Sequence, residues 1–322
     1  LVSTNANEKY LSQILSEHIG ISPNISHTIE SMCSSGTSAI LSAYSYISSG
    51  MADVILVSGA DRYDSPGRVL HWDDSRGEFL HPTHWASLYT HAYREKHSIP
   101  PENLAIIPVK NHKQAAYNPY ALSKKQYTIN DVTHSKHITN EIRLLDCSRP
   151  CTGGASVLLA SKDVCKKITD TPIWMTGVGQ KTTSAGFTKT KSFHTLESTQ
   201  IAATTALRMA GHTPDVIDVA EIHDAFSVCE PMALESIGMT KKGTGTALAK
   251  SLHDTNNFKI NPRGGLLGSG HPLGATGIAQ SAEIFTQLSG MAGKRQVDNP
   301  QIGLVHNMAA AGTTSAVLVM ER

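Results

Sequence analysis

The sequence predicts an α/β protein made of two copies of one mixed-sheet unit, and three observations carry that prediction. Apolar, β-branched runs alternate with helix-period segments along most of the chain. The same succession of elements recurs in both halves. At the matching helix start of each copy stands a reactive side chain, a cysteine in one and a histidine in the other.

The bulk properties agree with a folded catalyst. At 322 residues, 40% hydrophobic and 17% charged, the chain has ample material for a core and none of the bias of a disordered segment. With 28 Lys+Arg against 27 Asp+Glu the formal charge is +1. That excludes a long-range electrostatic case for nucleic acid or an anionic membrane. No apolar run reaches the roughly 18–20 residues that span a bilayer, so a soluble protein is expected. The cysteines Cys33, Cys147, Cys151, Cys165 and Cys229 form no CxxC pair and are odd in number. A reduced, cytoplasmic setting fits them better than a disulfide framework. Eight of the sixteen histidines fall between His71 and His137. Neither His81/His84 nor His134/His137 matches a metal motif, so loop histidines and no metal are expected there.

In the first half a helix is expected over about 6–18, a strand over 27–31, a helix over 36–50 and strands over 52–60 and 155–161. The intervening polar stretch, 62–150, lacks a regular pattern, and a segment of that length in a compact fold usually covers a site. The second half reads strand 173–178, helix 197–210, strand 216–222, and helix 226–238 ending in glycine. A Gly-rich loop (263–270), a helix (274–288) and two strands (302–307, 315–320), apolar enough to be buried on both faces, complete it. The divisions are 1–61 for the first half, 62–150 for the cover, 151–171 for the return strand and linker, and 172–322 for the second half. Matched element by element, the first copy lacks an opening β-α-β, on the order of 40 residues.

The two helix starts carry the chemistry. In SMCSSGTSAI, Cys33 stands just before a helix; in GSGHPLGATG, His271 takes the matching place. A helix N-terminus presents unpaired N–H groups and about half a positive charge, which favours a thiolate and so a nucleophile. Taken singly, Cys33 reads as a buried apolar side chain and His271 as a loop residue. Halves related by a pseudo-two-fold axis bring the two helix starts face to face, and a Cys–His pair then becomes geometrically available. His223, in HDAF after the strand VIDVAEI, lies at the carboxyl end of a strand, where open α/β sheets bind ligands. Asp224 beside it reads as an N-cap of the helix that follows.

Together these segments resemble the thiolase superfamily, most closely the branch of the sterol-carrier-protein-2 thiolases and archaeal acetyl-CoA acetyltransferases. CSSGTSA around Cys33 is similar to the nucleophile motif, VAEIHDAF (219–226) to HDxF, and GGLLGSGHPLGATG (264–277) to the GHP motif. VKNHKQAAYNPYA (109–121) and LLDCSRPCTGGASVLLAS (144–161) resemble the exit from the covering segment and the returning strand. The resemblance implies a five-layered αβαβα fold, acyl-CoA substrates with no separate cofactor, and an acyl group carried on Cys33. It implies that His271 activates the thiol, that His223 holds a water in the oxyanion hole, and that a second hole joins the Cys33 N–H to the backbone at Asn307 and Ala309. It also implies a homodimer or dimer of dimers contacting near 27–31. For the archaeal branch it implies assembly with a small zinc-ribbon/OB-fold protein and a hydroxymethylglutaryl-CoA synthase.

Three departures qualify that picture. The acid/base cysteine of thiolases belongs either at Ala225 or in a C-terminal CxG, where this chain reads Asn307-Met308-Ala309. Cys229, four residues beyond Ala225 and on the same helix face, is either a substitute or a packed core thiol. The loop NMAAAG (307–312) carries alanines in place of glycines, which its backbone donors tolerate only without positive φ. Three functions therefore compete: an acyl-CoA C-acyltransferase, an acyltransferase serving a nucleophile other than CoA, and an acyl-CoA-binding subunit of a larger assembly.

Overall fold

The computed structural model describes residues 1–4, 9–62, 81–184, 190–309 and 311–322. Its strands are β1 (Val2–Ser3), β2 (Thr28–Ile29), β3 (Val54–Asp61), β4 (Gly153–Ala160), β5 (Trp174–Thr182), β6 (Val219–Ile222), β7 (Ile302–Ala309) and β8 (Thr314–Glu321). They form two sheets, ordered β2-β1-β3-β4 and β5-β8-β7-β6. In the first, β1 runs parallel to both β2 and β3, and β4 is antiparallel to β3. In the second, β6 is parallel to β7, while β8 is antiparallel to β7 and β5.

The duplication is visible in that order. β1, β3 and β4 take the places of β6, β7 and β8, and a single parallel bridge from Ala220 to Ile260 stands where β2 pairs with β1. The first half thus holds one strand more than the sequence predicts. Val2–Ser3 is too short to show any alternation, so it leaves no periodic signal. Among the described residues, β5 and the helix Glu197–Ala210 are the part of the second half with no counterpart in the first; the unmatched unit is β-α rather than β-α-β.

The layers follow from where the apolar faces point. The helices Ser35–Ser48 and Leu273–Leu288 lie between the sheets. Ala39, Ile40 and Ala43 from one and Ile278 and Ile284 from the other pack with Ile55, Val57, Val219, Val305 and Leu318. Each such branched side chain contributes about 1.5–3 kcal/mol by leaving water. Ala202, Ala203, Ala206 and Leu207 of helix Glu197–Ala210 cover the other face of the second sheet. Over the first sheet the outer layer is the short helix Leu11–His18, and a groove lined by Leu15, Ile19, Val54, Leu56 and Leu158 runs beside it.

The covering stretch is more regular than its sequence suggests. Its described part contains the helices Pro82–His97, Pro101–Leu104, Ile106–Ala115 and Ile129–Thr133; His71 and the rest of 63–80 lie outside the described residues. Helix Ile106–Ala115 buries every residue except Lys113, including Lys110, Asn111, His112 and Gln114. A helix buried on all sides with polar residues inside it has no apolar stripe, and the periodicity that marks a surface helix is lost.

The two inner helices meet at their N-termini with almost no space between them. A Cβ on Gly36 would stand 2.9 Å from Ile278 N, and one on Gly277 2.6 Å from Thr37 N. Ser3 donates to Gly274 O at 2.7 Å, and the Asp61 carboxylate accepts from the Gly274 N–H, so the first sheet also grips the start of the second inner helix. We expect Gly277→Ala to cost about 1–3 kcal/mol, as overpacking of a tight contact does. The urea midpoint reads this, and an unshifted midpoint would mean that the helices can separate at no cost.

Candidate active site

Cys33 sits in the 3-10 turn Met32–Ser34, directly before helix Ser35–Ser48. Met32 takes φ 50°, a left-handed conformation that a non-glycine residue adopts only when held. Its restraints are local: Ser31 N donates to Ser35 Oγ (2.7 Å), Ser35 Oγ donates to Met32 O (2.6 Å), and Ser34 Oγ donates to Ser31 O (2.9 Å). The buried serines beside the cysteine therefore shape its turn, and Gly36 serves the helix crossing. Cys33 is half-buried, at the positive end of the helix.

From the other half come two imidazoles. The Cys33 Sγ and a ring nitrogen from each of His223 and His271 all lie within 4.8 Å of one another. The two rings stand edge to face, with centroids 5.3 Å apart. Both are buried, His223 2% and His271 4% exposed.

Their hydrogen-bond partners assign different protons to the two rings. Thr276 Oγ1 donates its one proton to Pro272 O (2.9 Å), so toward His271 Nδ1, 2.8 Å away, it accepts. His271 thus carries hydrogen on Nδ1, and Nε2, buried and without a protein partner, holds a bare lone pair. At His223 the polarity is reversed. Gln280 Nε2 donates to His306 O (3.3 Å), so its Oε1 accepts from Asn307 Nδ2 (2.8 Å), which also donates to His223 Nδ1 (3.1 Å). His223 therefore carries its hydrogen on Nε2. One ring is a base and the other a donor.

Burial keeps both rings neutral. It lowers His271 to about 3, helped by the Arg263 guanidinium. Burial, then His271, His306 and Arg263, holds His223 well below the usual imidazole range. Arg263 is fixed through its Nε to Glu221 Oε2 (2.9 Å).

Cysteine and two histidines are zinc-type ligands, but the hydrogen bond behind His223 does not suit a metal. A ligating imidazole donates its second N–H to an acceptor, whereas His223 accepts from an amide.

The remaining sequence candidates fall elsewhere. Cys229, 2% exposed, is in the hydrophobic core, and burial pushes its thiol up to about 12; it is not part of the three-residue cluster. The family resemblance implies a backbone role for Asn307, yet its side chain is what reaches His223. Ala309 ends β7 opposite Thr314. Among the described residues of its loop only Gly312 has positive φ, 66°, so Ala309 and Ala311 are unstrained. Tyr89 and Ser198 hold that loop by donating to Ala311 O (2.6 Å) and Gly312 O (2.5 Å). Asp224 does not cap the helix after it, which starts only at Cys229; it accepts from Leu266 N (2.6 Å) and Leu267 N (3.3 Å). Sequence reasoning misses Thr276, Gln280 and Arg263. The signal it could have used is a hydroxyl five residues beyond His271.

The family model for the thiolase N-terminal domain matches residues 2–127, and the thiolase C-terminal domain-like model matches residues 179–322. The chain is 33% identical over 327 residues to an acetyl-CoA acetyltransferase of Methanothermobacter thermautotrophicus, covering 98% of this chain and 85% of that protein. This chain belongs to the thiolase family. Sterol carrier protein 2 of Oryctolagus cuniculus is 32% identical over 314 residues, covering 90% of this chain. The thiolase-family chain spans 57% of that longer protein. Among solved structures, an Ltp2-ChsH2(DUF35) aldolase aligns with a TM-score of 0.86 at 18% identity, over 99% of this chain and 86% of that one. A monomeric SCP2-thiolase like protein type 1 from Mycobacterium smegmatis gives 0.75 at 16% identity, over 96% and 65%. These two likenesses concern the fold.

The neutral state of His271 has a measurable consequence for this thiolase-family fold. Below its ordinary value of 6.5 the unfolded chain takes a proton there that the folded chain refuses until about 3. Stability is therefore lost as pH falls through that window. His271→Asn removes the penalty, so relative to wild type it gains about 1.4 kcal/mol per pH unit below 6.5. Urea unfolding of both proteins at about pH 7.5 and 5.5 measures the difference. An equal gap at both values would show that the ring is charged or exposed.

Proposed function

We propose that this chain is an acyl-CoA C-acyltransferase, an acetyl-CoA acetyltransferase or 3-ketoacyl-CoA thiolase, working through an acyl-enzyme on Cys33. The observation that carries the proposal is the convergence of one thiol with two buried imidazoles of opposite tautomer. The name of the archaeal relative supports the same reading.

The steps follow from the proton positions. Cys33 gives its proton to His271 Nε2 as its sulfur attacks the thioester carbonyl carbon, and the π-electron pair moves onto the oxygen. The Nε2–H of His223, directly or through a water, and the newly formed Nε2–H of His271 donate to that oxyanion, the largest catalytic term in acyl transfer. Collapse breaks the bond to the CoA sulfur, which leaves with the proton held by His271. The Cys33 N–H and the backbone of Asn307–Ala309 at the end of β7 form the second hole, for the acyl-enzyme carbonyl. Coenzyme A enters as part of the substrate, and no separate cofactor takes part.

A second reading is favoured by one feature. The three-residue cluster holds one thiol; Ala225 and the Asn307-Met308-Ala309 run stand at the usual places of the second, Cys229 is in the core, and Cys151 packs against Gly270 outside the cluster. Transfer to an acceptor that is already nucleophilic needs no proton removed from carbon. A non-catalytic acyl-CoA-binding subunit is the third reading. One solved neighbour, the Ltp2-ChsH2(DUF35) aldolase, carries a DUF35 component in its name. A comparable small partner, a hydroxymethylglutaryl-CoA synthase and self-association into a dimer are proposed here as the assembly. Among the described residues no helix is long and apolar enough to cross a membrane; a cytoplasmic location remains a proposal.

Intact-mass measurement after incubation with acetyl-CoA separates these readings. We expect one acetyl group on the wild type and none on Cys33→Ala, with CoA binding retained in both. No adduct on the wild type leaves only the binding subunit. An adduct together with CoA-dependent cleavage of acetoacetyl-CoA supports the thiolase reading, and an adduct without cleavage supports transfer to another nucleophile.

A further inference from the structure

Behind the two imidazoles lies a buried polar network that the acyl-transfer steps do not use. Its centre is Lys110, 1% exposed, on helix Ile106–Ala115 of the covering segment. The ammonium donates to Asn111 Oδ1 (2.5 Å) and to Ile260 O (3.3 Å) and pairs with Glu230 Oε1 (3.1 Å). Asn111 Nδ2 in turn donates to Asp224 Oδ2 (2.6 Å) and Glu230 Oε2 (2.9 Å). Asn261 Nδ2 also donates to Glu230 Oε2 (2.8 Å), while its Oδ1 accepts from Ile222 N (2.7 Å), the residue before His223.

Asp224 is where this network reaches the site. It directly follows His223, and its two oxygens accept from Leu266 N and Leu267 N in the short helix Gly265–Ser269. That helix ends two residues before His271. One carboxylate therefore ties the turn carrying one imidazole to the turn carrying the other. There is no slack in the tie, because a Cβ added to Gly265 would overlap the Asp224 carboxylate. The covering helix is pressed against the same turn: a Cβ on Gly268 would stand 2.6 Å from the Ala115 Cβ and 2.9 Å from Asn111 O.

We propose that Lys110 and Asn111 are positioning residues: seated against Asp224 and Glu230, they couple the placement of the covering segment to the separation of His223 and His271. A buried amide between two carboxylates can be removed only by leaving acceptors unpaired in a dry site, so the seat has one low-energy arrangement. When the covering helix is seated, the base and the donor stand at their working distance from Cys33. When it is displaced, Asp224 loses its fixed orientation and the two turns are released from each other. The proposal takes from the functional reading only that the imidazoles serve Cys33, and it is tested without any acyl-CoA.

The test is the rate at which iodoacetamide alkylates Cys33 at neutral pH, followed by peptide mass spectrometry and set beside the melting temperature. Asn111→Leu should slow it about ten- to hundredfold, the scale of loss when reacting groups shift by about an ångström. Ile55→Ala, a core change on β3 of the first sheet and away from the covering helix, lowers the melting temperature but should leave the alkylation rate at the wild-type value. Asn111→Asp sets a carboxylate against Asp224 and should also be slow. Gly268→Ala, whose added carbon forces the covering helix off the same turn while Asn111 and Asp224 stay unchanged, should be slow as well. The proposal is overturned if Asn111→Leu alkylates as fast as wild type, or if Ile55→Ala is equally slowed. Should Asn111→Leu fail to fold, Gly268→Ala and Asn111→Asp decide: alkylation at the wild-type rate in both overturns the proposal, and slowing in both supports it. Loss of acyl transfer with normal alkylation would count against the functional reading and leave this one standing.

Discussion

Backbone contact between two helix starts is the constraint on which the molecule depends. Gly36 and Gly277 let the inner helices approach until a single added carbon would overlap the neighbouring main chain. Because each helix begins beside a reactive residue, this contact also fixes how far a sulfur from one half stands from an imidazole of the other. The sheets, the capping by Asp61 and the hydroxyl of Ser3 all converge on the same point. Packing and chemistry thus share one geometric requirement, and neither half contains the site alone.

Within that frame, burial and hydrogen bonding divide the labour between two chemically identical side chains. Desolvation makes both rings neutral, and a nearby guanidinium disfavours their charging further. A hydroxyl behind one ring and an amide behind the other then decide which nitrogen keeps its proton. Cys33 is the half-buried member of the group, and both histidines are buried. The amide behind His223 makes a metal a poor occupant, although the three residue types would suit one.

The polar residues buried in the covering segment give that segment a second task. A lysine, an asparagine and two carboxylates taken out of water are costly unless each finds its complement, and here the complements are the residues that hold the two histidine turns. Covering the site and aligning it become a single event.

Much of this is legible in the chain itself. Periodicity locates the long strands and both inner helices, since these elements bury continuous apolar faces and their spacing records it. The matched helix starts identify Cys33 and His271, because a helix N-terminus acts over one turn and needs no distant partner to be recognised. Motif resemblance adds His223 and the family. Other features are set by contacts between residues far apart in sequence. Val2–Ser3 becomes a strand only because β2 and β3 flank it, and helix Ile106–Ala115 hides its pattern because every side of it is covered. Asn307 and Thr276 acquire their roles from the rings they meet, and Cys229 is assigned to the core by the residues that surround it. The sequence by itself determined which groups could react, since reactivity is local to a side chain and its turn. Only the tertiary structure decided which nitrogen holds each proton and which thiol is within reach, because both depend on neighbours that the chain brings together by folding.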